Sequence, residues 1–177
     1  MSQFSDGLIG QQAYTQVNTA LEAARSILGL DPRLGGTSIK WLPSAEEQIL
    51  PAPQLAVISA VRGAGLFLLD NCTGPVSEFS MAVSRVDRAG ALHLASQPPP
   101  LLLLNRPFLE RSEFVHLRCA CAPSGLTPTS LPPAFADPPQ AGRLHSLSQL
   151  AAMLSGVIAI QRAQKSGIVE MLFPAWH

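Results

Sequence analysis

The stretch FVHLRCACAP, residues 114–123, places His116, Cys119 and Cys121 within six positions. These are the residue types that bind zinc or carry thiol chemistry. Side chains of an extended strand alternate between its two faces, so Val115, Leu117, Cys119 and Cys121 share one face and Phe114, His116, Arg118 and Ala120 the other. The histidine then points away from both thiols. Structural zinc sites also space paired cysteines by two to four residues, whereas Ala120 alone separates these two. The pair reads as small buried hydrophobes on a strand, and neither a metal nor any other cofactor is expected.

The stretch LLDNCTGP, residues 68–75, is the other place where chemistry could sit. Asp70 and Cys72 stand where an apolar run ends at a turn made by Gly74 and Pro75, and functional side chains concentrate on such loops. A nucleophilic cysteine needs a base, which His93 or His116 could supply from a neighbouring strand. Asp70, Cys72, His93 and His116 thus form the candidate catalytic set, although no known nucleophile signature surrounds Cys72. The glycines of VRGAG, Gly63 and Gly65, lack the remainder of a GxGxxG or GK[ST] phosphate loop and read as turn or bulge residues. HExxH, GxSxG and calcium-loop patterns are missing as well.

The elements that would position these residues follow from periodicity. Ile9, Ala13, Val17, Ala20, Leu21, Ala24, Ile27 and Leu28 recur at helical steps and predict a helix over 8–29. Prolines and glycines break 31–53 into loops around short pieces. QLAVISAV and GLFLLDN are short apolar runs that predict strands, as do SEFSMAVSRV and ALHLASQ on either side of a DRAG hairpin loop. One or two further strands are expected within 98–122, and the proline-rich 122–140 as an irregular loop. A last helix is expected from Ser146 through Leu147, Leu150, Leu154, Val157, Ile158 and Gln161, followed by a packed apolar tail, IVEMLFPAWH. The fold class is α+β: an antiparallel sheet of four to six strands flanked by N-terminal and C-terminal helices, in one domain over 1–177.

Composition narrows the functional classes. Twelve basic and twelve acidic residues cancel, so no electrostatic footprint favours nucleic acid or an anionic membrane. The longest apolar runs, LFLL and LLLL, fall far short of the roughly 20 residues of a membrane span. Three cysteines are unlike a disulfide framework, and with an N-terminus that lacks a basic and apolar leader they suggest the cytoplasm. The charged fraction of 14% lies well below the roughly 25% usual for soluble domains. An uncharged helix face with Gln12, Gln16 and Thr19, and the tail residues Leu172, Phe173 and Trp176, are the expected contacts to a protein partner or a second copy of the chain. The function these features suggest is a non-enzymatic protein-interaction module: a subunit, adaptor or chaperone-like component. The alternative is a small ligand-binding domain or cofactor-free enzyme with a pocket near Asp70 and Cys72.

Overall fold

The computed structural model describes residues 14–72, 74–95, 110–123, 149, 156–163 and 166–175. Gln12 and Trp176, residues 124–140 of the proline-rich segment, and 146–148 with 150–155 of the expected last helix lie outside the described residues.

Strand β1 (Thr15–Gln16) leads into α1 (Val17–Leu28), whose buried positions Val17, Ala20, Leu21, Ala24 and Leu28 recur at the expected helical spacing. Gln16 caps nothing with its side chain. The helix start is instead satisfied by the loop that contains SAEEQ: Val17 N–H donates to the Gln48 carbonyl at 2.9 Å, Asn18 N–H to Glu47 Oε1 at 2.9 Å, and Asn18 exchanges two hydrogen bonds with the Ser44 backbone. A 3₁₀ turn (Pro32–Leu34) follows, capped by Asp31, and Gly35 and Gly36 take positive φ. Then come β2 (Ile39–Leu42) and β3 (Ile49–Leu50), the latter antiparallel to β1.

The two apolar runs expected as strands form one 18-residue helix, α2 (Gln54–Asn71). Helix α2 packs against α1 on one side and against the sheet on the other, so it is apolar nearly all round and lacks the polar stripe that signals a surface helix. Gly63 and Gly65 are interior to it rather than at a turn. Gly65 has a packing reason, since a Cβ there would lie 2.6 Å from Leu28 Cδ1 of α1.

Strand β4 (Val76–Asp87) is as expected, but the DRAG hairpin is not. Asp87 Oδ1 accepts the Gly90 N–H at 2.7 Å and so opens helix α3 (Arg88–Ala95), where a second hairpin arm was expected. Strands β5 (Glu113–Pro123), β6 (Val157–Ala163) and β7 (Ser166–Pro174) complete the sheet. Val157, Ile158 and Gln161 therefore lie on a strand and not on the expected helix, and the tail from Ile168 to Pro174 is a strand bonded to β5 and β6.

The class is α+β, and the five-stranded sheet is mixed rather than antiparallel. Its order is β2-β4-β5-β7-β6, with β2 parallel to β4 and the remaining pairs antiparallel. One face, with Phe79, Met81, Val83, Val115, Leu117, Cys119, Cys121, Val169, Met171 and Phe173, packs with α1 and α2 into the main core. The other face carries a smaller cluster of Ala91, Phe114 and Leu172 beneath α3.

Candidate functional site

The structure distributes the candidate residues over three separate places. The first is the turn between α1 and β2, which meets the end of α2. Asp31 heads the 3₁₀ turn because its carboxylate accepts the Arg33 N–H at 2.9 Å, and Pro32 supplies the fixed φ of a first helical position. Arg33 returns its side chain to Asp31, with Nε at 2.9 Å and a terminal nitrogen at 2.7 Å, and also bridges to Asp70 on α2. Arg33 holds the Asp31 carboxyl down at about 2 and is itself raised by the two carboxylates. Asp70 is thus a partner of Arg33, tying α2 to the loop after α1.

The second place lies one turn further on. Cys72 closes α2 with an extended backbone, its N–H donating to the Leu69 carbonyl at 3.3 Å. Its half-buried side chain packs against the main core, which includes Cys121, the last core-facing cysteine of β5. The influence of Cys121 lowers the Cys72 thiol below its ordinary range, helped by Arg33 and opposed by burial, while Cys72 and burial raise Cys121. Cys119, two residues away and fully buried, is pushed up to about 12 by desolvation.

The third place is the opposite face of the sheet. His116 lies between Ser84 of β4, with Oγ 3.2 Å from Nδ1, and Glu170 of β7, with Oε1 3.2 Å from Nε2. The second of these is an electrostatic contact rather than an aligned hydrogen bond, because Nε2 has no hydrogen-bond partner. Arg118 Nε stands 3.9 Å from the same buried carboxylate oxygen. His93 is exposed on α3.

The expected catalytic set therefore does not converge. Cys72 touches the core side of β5, whereas His116 projects from the far side and His93 sits on a helix where a neighbouring strand was expected. The alternation read from FVHLRCACAP separates them. Among the described residues no group of three or more His, Cys, Asp or Glu side chains is placed to hold a metal ion. Of the expected partner surface, Gln16 and Thr19 are both exposed. Leu172 and Phe173 are 1% and 0% exposed. They belong inside because β7 is an interior strand of the sheet, with α3 covering Leu172 and the main core enclosing Phe173. Sequence reasoning missed the Arg33 bridge and the Glu170 partner of His116. Asp-Pro-Arg at 31–33 was the available signal for the first, since Asp followed by Pro is a helical-turn start. Nothing local in IVEMLF announces the second.

No helix among the described residues is long and apolar enough to cross a membrane. No family model matches the chain, and no curated protein matches it. Solved structures do match. A mycobacterial sensor histidine kinase, MprB, aligns at a TM-score of 0.59 and 10% identity over 93% of this chain and 97% of its own. Full-length ShkA in complex with AMPPNP aligns at 0.58 and 12% identity over 97% of this chain, which spans 32% of ShkA. The histidine kinase domain of the E. coli osmosensor EnvZ aligns at 0.53 and 9% identity over 97% of this chain and 94% of its own. This finding overturns the expectation of a non-enzymatic interaction module, because the chains that share the fold along nearly its whole length are named for an enzyme. At these identities the likeness establishes the fold, a histidine-kinase-like α+β sandwich.

Proposed function

We propose that the chain is a histidine-kinase-type nucleotide-binding domain serving phosphoryl transfer, with an adenine nucleoside triphosphate and its divalent cation as the ligand class. The observation that carries this reading is the alignment with MprB, ShkA and EnvZ over more than nine-tenths of the chain. The layered arrangement of α1 and α2 on one face of a mixed sheet supports it. Self-association belongs to the same proposal, with Gln16 and Thr19 at the start of α1 as its contact, in one domain that resides in the cytoplasm.

Titration calorimetry of the whole chain with AMPPNP and magnesium tests the reading. Saturable heat is expected, together with a thermal shift. Ligand at a hundredfold excess over Kd stabilises a folded protein by about 2.7 kcal/mol. Absence of both heat and shift at millimolar nucleotide would overturn it.

A second reading is favoured by one observation. Gly63 and Gly65 lie inside α2, Gly65 against Leu28, and the sequence contains no other glycine-rich phosphate motif. On this reading the chain keeps the kinase scaffold and takes part in phosphoryl transfer without its own nucleotide. A negative calorimetric result, combined with transfer of labelled phosphate from a phosphorylated signalling protein, would select it.

A further inference from the structure

Neither the nucleotide reading nor the phosphotransfer reading uses the polar group on the opposite face of the sheet. Ser84 of β4 and His116 of β5 are direct register partners, and Glu170 of β7 stands one diagonal step from His116, its own register partner being Arg118. The three side chains line up across three strands. Ser84 Oγ lies 3.2 Å from His116 Nδ1, and Glu170 Oε1 lies 3.2 Å from His116 Nε2. Exposure falls along that line: Ser84 is exposed, and the side chains of His116 and Glu170 are 12% and 7% exposed. A hydroxyl, an imidazole and a buried carboxylate in this order are the parts of a nucleophile, its base and the group that orients the base. The carboxylate also selects the tautomer. A negative oxygen beside Nε2 favours the proton on that nitrogen, which leaves the Nδ1 lone pair towards the serine hydroxyl. The Nε2 contact is not aligned as a hydrogen bond, and such contacts commonly tighten only when substrate binds. Ala82 puts a small side chain beside Ser84 on the same face, and its register partner Leu42 is 51% exposed, so a small apolar group has a shelf on which to rest.

We propose that Ser84, His116 and Glu170 form an acyl-accepting site, in which the Ser84 hydroxyl attacks the carbonyl carbon of a small activated ester. The Oγ–C bond forms as the hydroxyl proton passes to His116 Nδ1, giving a tetrahedral oxyanion. The bond from that carbon to the alcohol oxygen then breaks, the alcohol leaves with the proton from Nδ1, and the acyl group stays on Ser84 as an ester. No electrons are gained or lost overall. Ser84 and His116 are the catalytic residues. Glu170 is a positioning residue, which faces the imidazole while it carries the extra proton.

The test incubates the full chain with p-nitrophenyl acetate, follows release of p-nitrophenol and locates acetyl groups by peptide mass spectrometry. Acetylation of Ser84 is expected. Ser84→Ala, a change at an exposed position, should remove that acetyl group and leave labelling of lysines and cysteines as it was. His116→Gln should slow acetylation of Ser84 about a hundredfold, the lower end of what a general base contributes. Glu170→Gln should slow it as well, and Glu170→Asp, which restores a carboxylate, should recover part of the rate. Because changes at the buried Glu170 could impair folding, the wild-type map and Ser84→Ala decide the matter without them. Acetyl groups confined to lysines, cysteines or the amino terminus, or an unchanged rate at Ser84 in folded His116→Gln, would overturn the proposal.

Discussion

The two faces of the five-stranded sheet are built from the same strands, alternating residue by residue, and they differ in almost every physical respect. On β5, Val115, Leu117, Cys119 and Cys121 enter the core under α1 and α2, while His116 and Arg118 stand on the opposite face with Ser84 and Glu170. The core face excludes water over a broad area, so its energetics are those of cavity and overlap. Among the described residues the opposite face carries a small apolar cluster beneath α3, where Ala91, Phe114 and Leu172 meet, and polar pairs beside it. The pleat therefore separates His116 from Cys119 and Cys121, which is why the histidine and the cysteines of β5 do not share a site.

Neighbouring residues of β4 give the most direct test of that contrast. Phe79 is fully buried on the core face, and Ser80, next to it, points the other way. Phe79→Ala should cost about 3–5 kcal/mol in urea denaturation, whereas Ser80→Ala should stay within about 0.5 kcal/mol. Equal effects would break the distinction between the faces.

Overlap should rank next. Gly65→Val thrusts a branched side chain at Leu28, and overpacking of this kind costs about 1–3 kcal/mol. Adding Leu28→Ala should recover part of that loss, so the double mutant should be more stable than the sum of the two single effects. Strict additivity in thermal melts would show that the helices separate rather than interlock.

On the polar face, His116→Ala removes one neighbour of the buried Glu170 carboxylate while Arg118 stays beside it. The expected loss is about 1 kcal/mol in urea denaturation, larger than that of Arg118→Ala, whose side chain is more exposed and stands farther from the carboxylate. The smallest effect belongs to Asp31. Its folded-state pKa, about 2, lies below the ordinary 3.8, so the stability it contributes is present above pH 4 and disappears as pH falls through about 2. Asp31→Asn should lower the melting temperature slightly at pH 7, as ion pairs with an exposed partner contribute at most about 1 kcal/mol. Well below pH 2 it should make no difference.

Strand β5 was legible in the sequence down to the facing of each residue, because strict alternation leaves little freedom. Helix α1 was legible from Val17 to Leu28 for the complementary reason, its buried positions falling on one side only, whereas Thr15 and Gln16, expected on the same helix, pair with β3 as a strand. Helix α2 was not. Burial against α1 and against the sheet erased its polar stripe, and Gly63 and Gly65 then imitated a turn. Helix α3 was hidden by Asp87, which can begin a hairpin loop or cap a helix, and the choice was made by Phe114 and Leu172, distant in sequence, offering an apolar bed for Ala91. The contacts around Asp70 and Glu170 were illegible because their partners, Arg33 and His116, arrive through tertiary packing alone.

The order of strands also governs how fast the molecule can assemble. Strand β2 joins β4 with Ile39 opposite Phe79, β4 joins β5 with Glu78 opposite Ala122, and β5 joins β7 with Leu117 opposite Met171. Within this sheet only β6 and β7 are linked by a short connection, Ala163 lying opposite Ser166. Every other pairing must close a long loop before any ladder bond rewards it. Such wiring puts folding on the millisecond-to-second scale rather than the microsecond scale of local helical bundles. The C-terminal hairpin can form early, but β5 must arrive before its buried face has anything to rest on, and β2 can dock only when β4 is already in place.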